Sequence, residues 1–179
     1  MKKLFGLAVI ALAFAGVNVA RAGGVYEGVA PGRSVWGLRL GLSKLVGVNV
    51  TYDYALARVW KGSFTIGGQL GYMWNGDNGK VSKWADNYID FKVRTTYRFN
   101  VVVPEWEVYG GVGLGGAVKV WTIENKSTKA KDSGSKGYLS GSFIAGTAYH
   151  FTRNISVNLE LDFGNFEQAW VNLGVNYIF

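Results

Sequence analysis

The sequence predicts an all-β protein, an eight-stranded antiparallel up-and-down transmembrane β-barrel. Three observations lead to this fold class. Eight segments alternate apolar and polar residues with a period of two. The connections between them are short on one side of the sheet and include two long ones on the other. The polar face carries equal numbers of charges of each sign. The 26 glycines, 27 aromatic residues and only two prolines also favour strands over helices.

Residues 1–22 have the form of a secretory signal peptide. Lys2 and Lys3 precede an apolar run at 4–17, and the Ala-Arg-Ala sequence at 20–22 matches an A-x-A cleavage site. The apolar run is shorter than the roughly 20 residues that a membrane-spanning helix needs. We therefore expect cleavage after this leader rather than a membrane anchor.

The composition of the mature chain, residues 23–179, excludes several classes of protein. Without Lys2, Lys3 and Arg21 the 19 basic residues become 16, against 12 acidic ones. This excess is too mild to indicate nucleic acid as a partner. There is no cysteine, hence no disulfide and no thiolate metal site, and we expect no cofactor or metal. The glycine-rich residues 23–33 are expected to form a flexible lead-in or a partial plug.

The barrel is predicted to occupy residues 34–179, with one strand for each alternating segment. In chain order the strands are predicted at about 34–43, 46–57, 63–74, 88–99, 105–121, 137–151, 155–163 and 169–179.

Each predicted strand places its large apolar side chains on one face, because successive side chains of a strand point to opposite sides. In strands one to four this face holds Trp36, Leu38, Leu40, Leu42, Val48, Val50, Tyr52, Tyr54, Leu56, Phe64, Ile66, Leu70, Tyr72, Trp74, Ile89, Phe91, Val93, Tyr97 and Phe99. In strands five to eight it holds Trp106, Val108, Val112, Leu114, Val118, Val120, Leu139, Phe143, Ala145, Tyr149, Phe151, Ile155, Val157, Leu159, Leu161, Phe163, Leu173, Val175, Tyr177 and Phe179. Ile144 is an exception, since it interrupts the polar face of strand six.

The connections indicate which side of the barrel faces which compartment. Strands two, four and six are followed by short turns, whereas strands three and five are followed by NGDNGKVSKWADN at 75–87 and TIENKSTKAKDSGSK at 122–136. Short turns on one side and long loops on the other are typical of outer-membrane barrels. An even number of strands places both termini on the short-turn side, which is the periplasm.

The polar face is predicted to line the interior of the barrel. An eight-stranded barrel has an interior just wide enough for side chains, so buried charges must pair there. The candidate interior ion network has five charges of each sign: Arg39, Lys92, Arg94, Arg98 and Lys119, with Asp53, Asp90, Glu107, Glu160 and Asp162. The alternative is a soluble barrel that turns its apolar face inward around a ligand and its charges to water.

Aromatic residues cluster at both ends of the predicted strands, which favours the membrane barrel over the soluble one. On the turn side they are Trp36, Tyr54, Phe64, Tyr97, Phe99, Trp106, Tyr149, Phe151, Tyr177 and Phe179. On the loop side they are Tyr72, Trp74, Phe91 and Phe163. Two such girdles match the two interfaces of a membrane.

The chain ends in NLGVNYIF, in which Asn172, Gly174, Tyr177 and Phe179 follow the pattern polar, x, Gly, x, x, aromatic, x, aromatic. This ending resembles the C-terminal assembly signal of outer-membrane proteins. Together with the hairpin sequence TAYHFTRNISVNLELDFG at 147–164, it is similar to small barrels of the OmpA membrane-domain, OmpX and porin family. The resemblance implies an integral position in the outer membrane, recognition by the barrel-assembly machinery, contact with membrane lipid and lipopolysaccharide, and closure of the last strand against the first. We expect a monomer.

Candidate chemistry is sparse. GGVGLGG at 110–116 has the spacing of a dinucleotide-binding loop, but it lies inside a predicted strand and no helix follows. His150 is the single histidine, and it does not begin the H-x-S sequence of a lipid A-modifying enzyme, since Phe151 and Thr152 follow it. It is also predicted on the periplasmic side, away from the outer leaflet. We expect a structural histidine and no catalytic residue.

The sequence favours a non-enzymatic barrel with a closed polar lumen and a structural or surface-interaction role through its two long loops. Four lysines of the second loop are candidates for contact with lipopolysaccharide phosphates: Lys126, Lys129, Lys131 and Lys136. A solvated loop without a ligand remains the alternative for them. The alternative functions are a narrow OmpW-like passage for small or hydrophobic solutes and, after it, a lipid A-modifying enzyme.

Overall fold

The structure is a computed structural model that describes residues 29–42, 45–79, 82–164 and 168–179. The predicted signal peptide, 1–22, and the first part of the predicted lead-in, 23–28, lie outside the described residues. Among the residues that the structure describes, none belongs to a helix with the length and apolar character needed to span a membrane.

Eight antiparallel strands form a closed ring in which each strand pairs with its neighbours in sequence and β8 pairs with β1. This arrangement confirms the predicted fold class. The strands are β1 Ser34–Leu42, β2 Val46–Val59, β3 Gly62–Asn78, β4 Ser82–Asn100, β5 Trp106–Asn125, β6 Lys131–His150, β7 Ile155–Gly164 and β8 Gln168–Ile178.

The alternation of the sequence sets the two faces of the ring. Leu38 and Phe91 point outward and are 62% and 61% exposed, whereas their strand neighbours Arg39 and Asp90 point inward and are 1% and 2% exposed. Apolar side chains on the outside and buried charges inside are the pattern of a barrel that faces lipid. The interpretation as a soluble barrel with inverted faces is therefore wrong.

The ring closes where β8 runs antiparallel to β1. Arg39 lies opposite Gly174 in the register, and backbone bonds join Ser34 and Phe179 in both directions, at 2.9 and 3.0 Å. A Cβ atom on Gly174 would lie 2.4 Å from the Leu38 carbonyl oxygen and 2.5 Å from Arg39 Cγ. Glycine is thus required at this position, because a side chain would collide with the backbone of β1 as well as with the Arg39 side chain.

The strands differ in length, and the difference corrects the predicted loops. The chain needs only residues 79–81 to pass from β3 to β4 and only 126–130 to pass from β5 to β6. Most residues of the two predicted loops, 75–87 and 122–136, belong to paired strands instead. The alternation weakens there because neither side of the sheet is lipid-covered, although backbone pairing continues.

The continued strands form a four-stranded sheet above one side of the ring, which we call the extension: residues 75–78, 82–88, 119–125 and 131–138. It is bounded where the flanking strands end. β2 pairs with β3 only as far as Trp74, and β7 pairs with β6 only as far as Ser142. We call this the hairpin end of the barrel, and the opposite end, where Ser34 and Ile178 lie, the turn end.

At the turn end, residues 29–33 pack against the barrel. Gly32 N donates to the Ala55 carbonyl oxygen at 2.8 Å, and Ala55 N donates to the Arg33 carbonyl oxygen at 2.9 Å. Val29 is buried in an apolar cluster with Val35, Ala55 and Ile178. This part of the predicted lead-in is therefore held on the barrel rather than free of it.

Candidate functional site

The interior of the barrel contains a chain of ion pairs that crosses from strand to strand. Arg94 on β4 occupies the middle: its Nη2 lies 2.7 Å from Glu160 Oε2, and its Nε lies 3.2 Å from Asp53 Oδ1. Arg39 Nη1 reaches the other oxygen of Glu160 at 2.7 Å, and Arg98 Nη2 reaches the other oxygen of Asp53 at 2.9 Å. Each carboxylate therefore bridges two guanidinium groups.

The chain continues toward the turn end. Arg98 Nη1 donates to Glu107 Oε1 at 2.8 Å, and His150 Nε2 lies 3.7 Å from Glu107 Oε2. His150 is buried beside this carboxylate at the end of β6. The contact places the imidazole beside the ion-pair chain.

A second, smaller cluster lies toward the hairpin end. Lys92 Nζ is 3.1 Å from both Asp90 Oδ2 and Asp162 Oδ2. The cavity beside this cluster measures about 40 Å³, roughly the space of one or two water molecules. It is lined in addition by Leu45, Met73, Tyr88 and Trp170.

Lys119 is not part of the buried network, contrary to expectation. It has the inward orientation of the other charged residues, but it lies in the extension, where β1, β7 and β8 do not continue to bury it. Its Nζ lies 2.8 Å from Asp86 Oδ2, and both side chains are about a quarter exposed, 25% and 22%. The other nine predicted network residues are buried, and they comprise four cations and five carboxylates rather than equal numbers.

Tyr109 is a buried member of the interior that the sequence analysis did not single out. The Arg98 guanidinium lies 4.5 Å from its ring centroid, and Asn158 Nδ2 donates to its hydroxyl at 3.2 Å. Its ring lies over Gly146, where a Cβ atom would be 2.3 Å from Tyr109 Cζ. Ile144 packs beside it, so the irregular position in strand six fills space next to an inward tyrosine. The sequence contains one clue to this position: Tyr109 lies two residues after Glu107 in the same strand, so both side chains point inward.

The four residues of the C-terminal pattern divide between the two faces of β8. Asn172 is buried and accepts a bond from Asn49 Nδ2 at 2.8 Å, and Gly174 lies beneath the side chain of the Arg39 opposite it. Tyr177 and Phe179 point outward, with ring centroids 6.2 Å apart. The polar and glycine positions thus serve the interior, while the aromatic positions are accessible from outside.

The four candidate lysines also separate. Lys126 and Lys129 lie in the turn between β5 and β6. Lys131 pairs with Glu124 across the outward face of the extension, with Nζ 3.9 Å from Oε2. Lys136 lies on the inward face, where its Nζ is 5.3 Å from the ring centroid of the nearby Tyr138. The four therefore do not form one surface.

The carboxylates of the interior pair with cations instead of converging on one point. Across the part of the chain that the structure describes, no group of three or more histidine, aspartate or glutamate side chains is placed to hold a metal ion.

Comparison with known proteins places this architecture in a family. A family model described as the outer membrane protein beta-barrel domain matches residues 5–179. A comparison with curated protein sequences gives no significant match.

Solved structures give the same architecture. Ail, the attachment invasion locus protein of Yersinia pestis, aligns with a TM-score of 0.58 at 15% identity over 83% of this chain and 99% of that one. Ail in complex with the heparin analogue sucrose octasulfate aligns with a TM-score of 0.54 at 13% identity, over 82% and 96% of the two chains. The N-terminal β-barrel domain of OprF of Pseudomonas aeruginosa aligns with a TM-score of 0.50 at 18% identity, over 83% and 98%. At these identities the likeness concerns the fold.

Proposed function

Because the chain belongs to the outer membrane protein beta-barrel domain family, we propose that it is a non-enzymatic integral outer-membrane protein with a closed lumen, whose extension contacts partners at the cell surface. In this proposal both termini are periplasmic, so the hairpin end faces outward. The packing of residues 29–33 at the opposite end, beside short turns, supports this orientation.

The observation that carries the closed lumen is the ion-pair chain from Glu107 to Arg39. A passing solute has to separate Arg94 from Asp53 and Glu160, all of them fully buried. Breaking a buried ion pair by removing one partner costs about 3–5 kcal/mol. The apolar cluster around Val29 at the turn end adds a second barrier, because it offers no polar partner to a hydrated ion.

The surroundings of His150 support a non-enzymatic role. His150 lies beside Glu107 in the barrel interior, near the turn end. Lipid A lies at the opposite end in the proposed orientation. Mass spectrometry of lipid A from cells with and without the protein should give identical profiles; a protein-dependent change in acylation would establish the enzymatic alternative.

A surface role is supported by the extension and by a relative. Ail, which shares the fold, is by its name an attachment invasion locus protein. Lys126, Lys129 and Lys131 are proposed to contact lipopolysaccharide phosphates from the turn and the outward face of the extension. Lys136 is left out of this set because it lies on the inward face.

The C-terminal residues are proposed to serve during insertion. Tyr177 and Phe179 are exposed on the outer face and available to the barrel-assembly machinery, while Asn172 and Gly174 adapt the strand to the interior. The mature protein is proposed to act as a monomer in membrane lipid.

The closed lumen is tested by conductance in planar lipid bilayers. We expect no discrete current steps from the wild-type protein at moderate voltage. The paired replacement of Arg94 and Glu160 by alanine is the positive control, because it removes two members from the centre of the chain and opens space there. Current steps from the wild-type protein would instead support the narrow OmpW-like passage.

A further inference from the structure

The inward face of the extension forms a cleft above the hairpin end of the barrel. Its volume is about 410 Å³, which falls within the range of roughly 300–1,000 Å³ that small-molecule sites occupy. The strand pairing that supports it is continuous across β4, β5 and β6. The walls comprise Trp84, Trp121 and Tyr138, with Lys119, Lys136 and Asp86 among them.

Two lysines meet in this cleft in an arrangement that favours an anion. Lys119 on β5 is directly opposite Lys136 on β6, and like charges directly opposite one another destabilise a sheet. Asp86 neutralises Lys119 at 2.8 Å, and Lys136 lies over the Tyr138 ring. Among the charged residues that line the cleft, Lys119, Lys136 and Asp86, one positive charge is therefore in excess.

The indole rings supply flat apolar surfaces beside these charges. Asp86 is opposite Trp121 and Trp84 is opposite Ile123, so the two tryptophans are diagonal neighbours on one face. Gly134 makes room for the Trp121 ring: a Cβ atom there would lie 2.3 Å from Trp121 Cζ2. The ring is thus held against the backbone of β6 with its other side toward the cleft.

We propose that this cleft binds an acidic saccharide from outside the cell. A sugar carboxylate or sulfate sits between Lys136 and Lys119, the apolar C–H face of the pyranose ring packs on Trp121, and Asp86 accepts a hydroxyl hydrogen. The inference rests on the proposed function, in which the extension is extracellular, and it identifies the ligand class and the residues.

The chemistry of the cleft distinguishes this ligand from its rivals. An acidic peptide satisfies the lysines but presents no flat apolar face to the indoles. Lipopolysaccharide of the same membrane surrounds the outer wall, whereas the cleft opens inward, above the lumen and on the face opposite Lys131. The favoured occupant is therefore a ring-bearing anion that approaches from solution.

The test uses the mature protein refolded in detergent, with tetramannuronate as the probe and isothermal titration calorimetry as the readout. Two compounds separate the contributions: the methyl ester of tetramannuronate keeps the rings without the charge, and tetraglutamate keeps the charge without the rings. Both are expected to bind at least about tenfold more weakly than tetramannuronate.

Variants locate the site. W121A and K136A are each expected to weaken tetramannuronate binding about tenfold or more, whereas Lys136→Arg keeps the charge and stays within about threefold of wild type. K83A, on the outward face of the same extension, is the matched control and changes binding less than about twofold. Heat-modifiable gel migration verifies that each variant is folded.

Three outcomes would overturn the proposal: absence of saturable tetramannuronate binding by the wild-type protein, equally tight binding of tetraglutamate, or equal losses in the K83A and K136A variants. None of these outcomes tests the proposed closed lumen, because that proposal is tested independently by conductance.

Discussion

Arg94 and Lys119 have the same chemistry but different surroundings. Both side chains point inward from neighbouring strands, and both hold a carboxylate at close range: 2.7 Å from Arg94 to Glu160, and 2.8 Å from Lys119 to Asp86. Arg94 is completely buried, whereas Lys119 is a quarter exposed. A distance alone therefore does not give the strength of an ion pair, because desolvation and screening depend on what covers it.

The cover comes from strands on the far side of the ring. Arg94 faces Glu160 on β7, and the wall made by β7, β8 and β1 closes over it. Lys119 lies in the extension, which only β3 to β6 reach, so no opposite wall excludes water. The same strand pattern thus produces a buried interior in the lumen and an accessible surface in the extension.

The largest expected effect follows from removing Arg94 alone. R94M leaves Asp53 and Glu160 each with one guanidinium partner instead of two, in a fully buried site. We expect the free energy of unfolding to fall by about 3–5 kcal/mol, measured by urea titration of the protein in lipid vesicles. Lys119→Met is the matched control. Equal losses in the free energy of unfolding from the two variants would contradict the claim that burial determines the strength of these ion pairs.

A second expected effect concerns the closure of the ring. In G174A the added methyl group meets the Leu38 carbonyl oxygen and Arg39 Cγ, at 2.4 and 2.5 Å, so the Arg39 side chain must move from its ion pair. Overpacking of this kind costs about 1–3 kcal/mol. The yield of heat-modifiable folded protein should fall accordingly.

The outward position Gly110 provides the control for this prediction. A Cβ atom there would have its nearest neighbour, the Ile144 carbonyl oxygen, at 3.7 Å, which is an ordinary contact. G110A is expected to fold like wild type. A loss of folded protein equal to that of G174A would show that the conformational freedom of glycine, and not crowding, is responsible.

A third, smaller effect is expected at Tyr109. Y109F removes the hydroxyl that accepts a bond from Asn158 but keeps the ring beside the Arg98 guanidinium. We expect a loss of about 1 kcal/mol in the free energy of unfolding. Y149F, at an exposed outward position, should change the free energy of unfolding very little, and a larger loss from Y149F than from Y109F would contradict the assigned interior role.

Much of the barrel could be predicted from the sequence because lipid imposes a strict rule on one face. Leu38 and Phe91 must be apolar where they contact acyl chains, so the period of two is clear and the alternate positions Arg39 and Asp90 are assigned to the interior. The same reasoning holds for the short strands β7 and β8, whose observed ends lie within a residue of the predicted ones.

The extension could not be predicted in the same way, because its strands have water on both sides. Asp77, Lys83 and Ser133 are polar regardless of the face that they occupy, so the period disappears although pairing continues. The parity of Lys119 in its strand predicts an interior position. The parity of a residue gives the direction of its side chain. It does not show whether the strands across the ring extend far enough to bury that side chain.

The smallest predicted effect compares the two regions at low and at high salt concentration. Replacing Lys119 by methionine removes one exposed ion pair, for which we expect at most about 1 kcal/mol at low ionic strength. Because the Debye length shrinks to about 3 Å at 1 M salt, this difference should vanish when the same urea titration is repeated in roughly 1 M sodium chloride. The loss caused by R94M should persist there, since ions do not enter the packed interior. If both losses disappeared together, water and salt would have to reach Arg94, and the closed lumen would be wrong.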